Sequence, residues 1–156
     1  MVPGTPLRIF LTLWIIYTAH FATDFVREHF LVVSLVDDHT FQLDPYFGMH
    51  PDIFRTPDGH AYHGANPGVS MMAAVPYFLL HPLVDAIVER ELAGRGDEVG
   101  ADGYQDPREE RREFYRIARS NGWDVRFGLV GLITLALFMA PLTAWSAVVL
   151  HRTPAH

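Results

Sequence analysis

The chain has 156 residues, no cysteine and a formal charge of −6, and 49% of its residues are hydrophobic. Without cysteine there is no disulfide or thiolate chemistry, and an acidic balance spread over two polar loops argues against a nucleic-acid partner. Three strongly apolar stretches, at 7–23, 67–88 and 127–150, point instead to an all-α integral membrane protein with three transmembrane helices.

Met1 to Pro6 forms a short tail rich in proline and glycine. The first span follows, from Leu7 through Trp14 and Ile16 to Thr23, and reaches across with help from its flanks. It reads as a retained anchor rather than a cleaved leader. Its apolar run is longer than a signal core, and His20, Phe21, Thr23 and Asp24 stand where small residues would mark a cleavage site. From Asp24 to Val36 the pattern becomes amphipathic: Phe25, His29, Val32, Val33 and Val36 fall near one stripe, as expected for a helix lying along the outer membrane surface.

Between Asp37 and Gly64 the composition shifts to Asp, His, Pro, Gly and aromatic residues without a sustained period. This reads as an ordered loop, because Phe41, Tyr46, Phe47, Phe54, Tyr62 and nearby Tyr77 need something to pack on. The second span starts sharply, with Asn66 as cap, Pro67 at the first helical position and Gly68 allowing close approach. Pro76 and Pro82 should bend it, and Asp85 to Leu92 continues it as a charged tail. After a flexible patch at 94–103, Asp106-Pro107-Arg108-Glu109 resembles a capping box opening a solvated helix to about Ser120, closed by Asn121-Gly122. The third span holds no charged residue from Phe127 to Leu150.

All positive side chains other than histidine are arginines, and their placement orients the chain. Arg27 and Arg55 are the two in the first loop, 24–66, whereas eight lie between Arg90 and Arg126 in or beside the second, 89–126. The excess of positive charge marks the cytoplasmic side. The reading is a multi-pass protein of the plasma membrane with a cytoplasmic amino terminus, an outer first loop and an inner second loop, forming one membrane domain over 1–156 within a larger bundle.

Candidate chemistry concentrates in the first loop. Asp24 stands where the first span leaves the hydrocarbon, and partial desolvation there suits a carboxylate to accept a proton. Arg27, one turn on, can hold a phosphate with two parallel hydrogen bonds; the bland alternative is that the two residues mark the interface and pair with each other. His60 and His63, three apart, could share one side of a turn and bind a divalent metal with an aspartate such as Asp44, Asp52 or Asp58; surface solvation is the alternative. A haem held between His20 and His81 is excluded by depth, since His81 lies about 20 Å further along the bundle.

The order of these segments resembles the amino-terminal part of polytopic glycosyltransferases of the GT-C type, which are similar to dolichyl- or polyprenyl-phosphate-sugar mannosyltransferases. The segments are a first span ending in Asp24, the stretch Arg27 to Val36, Asp37 to Tyr46, and Asp58-Gly59-His60-Ala61-Tyr62 running through Asn66-Pro67-Gly68 to Tyr77. The likeness covers about residues 7–85. It implies inverting sugar transfer from a lipid-phosphate donor at the outer membrane face. Asp24 then matches the family's general base, with Asp44 the second choice, since Phe25 stands where the family often carries a further acidic residue. Arg27 and the turn holding Tyr62, His63, Asn66 and Gly68 would lie near the lipid-phosphate headgroup. Family members usually have many more spans, so further membrane subunits or segments are expected partners. The alternative is a non-catalytic membrane subunit or scaffold protein whose 107–120 helix docks a partner.

Overall fold

The computed structural model describes residues 4–19, 27–95 and 107–152. Six α-helices dominate: α1 (Thr5–Ala19), α2 (Arg27–Val33), α3 (Gly68–Arg95), α4 (Glu109–Ser120), α5 (Trp123–Thr134) and α6 (Ala140–Arg152). A hairpin of β1 (Ile53–Arg55) and β2 (Ala61–His63) interrupts the all-α expectation, pairing Phe54 with Tyr62 in antiparallel register.

Among the described residues, two helices are long and apolar enough to cross a membrane: α3, and the continuous rod Trp123–Arg152. At 15 residues α1 is about 22 Å long, short of a ~30 Å hydrocarbon layer, so the expected third span is not shown. The long helices leave many of their large apolar side chains exposed. On α3, Ser70, Ala73, Tyr77, Val84 and Val88 are buried in one stripe, while Met71, Met72, Val75, Phe78, Leu79 and Leu83 are exposed. Leu137, Leu142, Trp145 and Leu150 are likewise exposed on the rod, and Leu7, Ile15 and Ile16 on α1.

The entry to α3 follows the sequence logic. The Asn66 Oδ1 accepts the Gly68 N–H at 3.0 Å, and Pro67 contributes its carbonyl to Met71 at 2.9 Å. The turn between α4 and α5 is built as expected too. The Asn121 N–H bonds the Ile117 carbonyl, and Gly122 takes the left-handed conformation at φ 67°. A side chain there would meet Val88 Cγ1 at 2.7 Å, so glycine also sets how closely α5 approaches α3. The Asp106 end of the proposed capping box lies outside the described residues.

The rod has one irregularity with an identifiable cause. Leu135–Met139 forms a π-helical turn in which the Ala140 N–H bonds Leu135 instead of Ala136. The next residue, Pro141, has no N–H, which leaves the Ala136 carbonyl without a helical donor. The Trp14 indole N–H donates to that carbonyl at 2.7 Å, seating α1 on the rod.

The segment expected to lie on the membrane surface is instead core. Phe30, Leu31, Val32, Val33 and Ser34 are consecutive and all buried, so α2 is enclosed on every side rather than laid down on one apolar face. Phe30 packs against Tyr46 and edge-on against Phe127, with ring centroids 5.4 and 4.7 Å apart. Tyr46 meets Trp123 at 5.2 Å. Segments 24–66 and 89–126 therefore touch, which a ~30 Å layer between them would forbid. The placement of the two loops on opposite membrane faces is thus not shown by the described residues. Of the loop aromatics, Tyr46 and Tyr77 are buried, but Phe41, Phe47 and Phe54 remain exposed, with the Arg55 guanidinium 4.3 Å over the Phe47 ring.

Candidate functional site

Asp24 lies outside the described residues, and Arg27 opens α2 at the edge of them. Asp44 is accounted for in full. One carboxylate oxygen accepts the Ala61 N–H at 2.6 Å and the other meets the His60 Nδ1 at 2.8 Å, tying the short 3₁₀ turn Asp44–Tyr46 to β2. The hydrogen bond from His60, with that from Ala61, holds the Asp44 carboxyl below its usual range, which makes it a poor proton acceptor. The same bond pushes the His60 imidazole up.

Asp58-Gly59 in the resembling stretch is turn chemistry. Gly59 has φ 91°, its N–H bonds the Thr56 carbonyl at 3.0 Å, and the Asp58 carboxylate accepts from the Thr56 hydroxyl and the His60 N–H. His60 and His63 are not brought together. The chain is extended through Ala61–His63, where positions three apart point to opposite faces, and His63 Nδ1 accepts the Ala65 N–H at 3.0 Å. Among the described residues no group of three or more acidic or histidine side chains is arranged to hold a metal ion. Tyr62, Asn66 and Gly68 line the corner from β2 into α3, where Asn66 and Gly68 bond each other.

Among the described residues, the densest ionisable cluster was not singled out from the sequence. It begins with a second π-helical turn, Ser34–Asp38, closed by the His39 N–H on the Ser34 carbonyl, with His39 left-handed at φ 55°. The Ser34 hydroxyl donates to the Gln42 carbonyl at 2.6 Å and steadies the exit. This wide turn presents Asp37 to α3, where Tyr77, His81 and Asp85 form one i, i+4, i+8 stripe. Arg126, one turn into α5, completes a closed ring.

The geometry of the ring is tight. Asp37 Oδ1 takes the Tyr77 hydroxyl at 3.1 Å and meets His81 Nε2 at 3.0 Å; Asp37 Oδ2 takes Arg126 Nη1 at 3.0 Å. Arg126 Nη1 also donates to the Tyr77 oxygen at 2.8 Å, and Nη2 to Asp85 Oδ1 at 2.7 Å. Asp85 Oδ2 lies 3.0 Å from His81 Nδ1, closing the circuit. The Asp37, His81, Asp85 and Arg126 side chains are 17–33% exposed, so the ring is half-sheltered rather than sealed. Asp38 stands beside it, its carboxyl raised by burial and by the Asp37 charge, and burial likewise pushes up the Tyr46 hydroxyl.

A signal for this site existed in the sequence. His81 and Asp85 are ionisable residues within an otherwise apolar stretch, four apart, and such residues mark functional or structural centres in membrane helices. Their partners Asp37 and Arg126 are 44 and 41 residues away from them, and no local pattern joins them. Compared with family models, curated proteins and solved structures, the chain matches none.

Proposed function

We propose that this is a membrane-embedded helical protein of GT-C-like character, taking part in sugar transfer from a lipid-phosphate donor. The observation that carries the membrane reading is the outward display of large apolar side chains on α3 and on the rod. Monomeric soluble proteins rarely leave apolar patches of that extent uncovered. The sugar-transfer reading draws support from the resemblance between Arg27 and Tyr77. Its residues fold into a continuous unit of α2, the π turn, the hairpin and the start of α3. In this reading Asp24 is the base and Arg27 holds the donor phosphate. Asp44, bound within the hairpin, keeps a structural part.

The test is transfer of radiolabelled sugar from a polyprenyl-phosphate donor in membranes carrying the wild type, Asp24→Asn or Asp44→Asn. The proposal expects Asp24→Asn to lose at least ~100-fold in turnover, the low end of a missing general base, with Asp44→Asn retaining activity in the folded fraction. Unchanged turnover in Asp24→Asn excludes that residue as the base.

A second reading, a non-catalytic subunit or scaffold, is favoured by one observation. The charged groups of the central ring are satisfied by one another, as expected of a device that locks helices together. Absence of donor turnover in every preparation, with normal folding, supports that reading.

A further inference from the structure

The hydrogen-bond inventory of the Asp37–His81–Asp85–Arg126 ring has a consequence independent of sugar transfer. Both imidazole nitrogens of His81 face carboxylate oxygens, Nε2 toward Asp37 and Nδ1 toward Asp85, each at 3.0 Å. With both carboxylates ionised they only accept, so in that state both nitrogens donate and the ring is doubly protonated. In that state two carboxylates are balanced by one guanidinium and one imidazolium. Removal of one proton leaves a net negative ring, with a nitrogen lone pair pointed at a carboxylate oxygen.

We propose that this ring is a proton-operated latch, in which protonated His81 pins the π turn Ser34–Asp38 to α3, and loss of one proton loosens it. The bond to Asp85 stays within α3, whereas the bond to Asp37 crosses from α3 to the π turn. The crossing bond is therefore the one whose loss separates elements, and the latch works by the proton leaving Nε2 while Nδ1 keeps its bond to Asp85.

Among the described residues, three elements bring charged or titratable groups to His81. Asp37 comes from the π turn; Asp85 and the Tyr77 ring, 5.5 Å away, come from α3; and Arg126 comes from α5 and bonds both carboxylates. Asp38 and Tyr46 lie behind Asp37 and sense its charge. Arg126 and Tyr77 still hold Asp37 after the proton leaves, so the latch slackens rather than falls open. The loosened segment is α2 with its π turn, which carries Phe30, Val32 and Val33 of the core.

The experiment is amide hydrogen exchange on the full chain in lipid nanodiscs at about pH 6 and about pH 8.5, corrected for intrinsic exchange rates. Protection of peptides spanning 27–43 is expected to fall about tenfold in the wild type, the size of one lost charge-assisted hydrogen bond, while peptides from α1 hold. His81→Gln should show the lower protection at both pH values. Nitrogen-15 spectra of the wild type should show His81 with both ring nitrogens protonated at the acid end, a readout needing no variant. The proposal is overturned by equal protection at both pH values, by an equal fall in His81→Gln, by a fall spread evenly over the whole chain, or by a singly protonated ring at the acid end.

Discussion

A single methyl group added at Gly122 should be costly. This glycine lies between α4 and α5 with φ 67° and ψ 13°, a left-handed conformation that costs a residue bearing a Cβ ~1–2 kcal/mol. The added carbon would stand 2.7 Å from Val88 Cγ1 and 3.3 Å from Leu92 Cδ1, so α5 must move away from α3 or those side chains must leave their rotamers. Overpacking of that kind costs ~1–3 kcal/mol. Against this, alanine restricts the unfolded chain and returns ~0.4–1 kcal/mol. The net expectation for Gly122→Ala is a loss of about 1–4.5 kcal/mol, read by equilibrium unfolding in mixed detergent micelles. Arg126 hangs from this turn, its N–H bonded to the Gly122 carbonyl at 3.0 Å, so the same shift should disturb the ring. Val88→Ala removes the carbon that clashes, and in the Val88→Ala/Gly122→Ala pair the losses should fall short of additive by about 1 kcal/mol. A Gly122→Ala protein within about 0.5 kcal/mol of wild type, or strictly additive losses, would refute the close-approach argument.

Trp14→Phe keeps an aromatic ring beside Phe10 but removes the donor to the Ala136 carbonyl, and should cost about 1–3 kcal/mol in the same unfolding assay. Ser34→Ala leaves the Gln42 carbonyl without its donor and should lower amide protection around 39–43 by roughly tenfold, measured by hydrogen exchange. The hairpin should show a two-sided pH dependence. Asp44, held below its ordinary value, contributes stability above about pH 4 that is lost as pH falls through its lowered pKa. His60, held above its ordinary value, contributes fully below about pH 6.5 and loses its contribution as pH rises through its raised pKa. Hairpin amide protection should therefore peak between these limits, and Asp44→Asn should flatten both limbs.

Elements with local chemistry were legible in the sequence. The start of α3 was marked by Asn66, Pro67 and Gly68, and the end of α4 by Asn121-Gly122, because caps are decided by neighbours along the chain. The apolar runs likewise announced α3 and the rod. The hairpin was missed because β1 and β2 have three residues each, too short for alternation to show, and Asp58-Gly59 read as part of a motif rather than a turn. The surface placement of α2 failed for a different reason. A one-sided stripe was read, although Phe30 and Leu31 lie off it and are buried as deeply, and only tertiary packing decides what covers them. The central ring was invisible as a unit, since Asp37 and Arg126 are 89 positions apart.

The wide turn at Leu135–Met139 gives the rod two separate allegiances. Before it, the sheltered positions are Phe127, Val130, Gly131 and Thr134; after it they are Ala140, Ala144 and Val148. On an unbroken helix these two sets would be roughly a quarter turn apart, and the additional residue rotates the second set by about 100° more. The two halves therefore look to nearly opposite sides, one toward α3 and the other toward α1. A helical wheel drawn through the whole rod mixes both and shows apolar residues all round. Drawn as two wheels, it describes a strut that holds a different companion at each end.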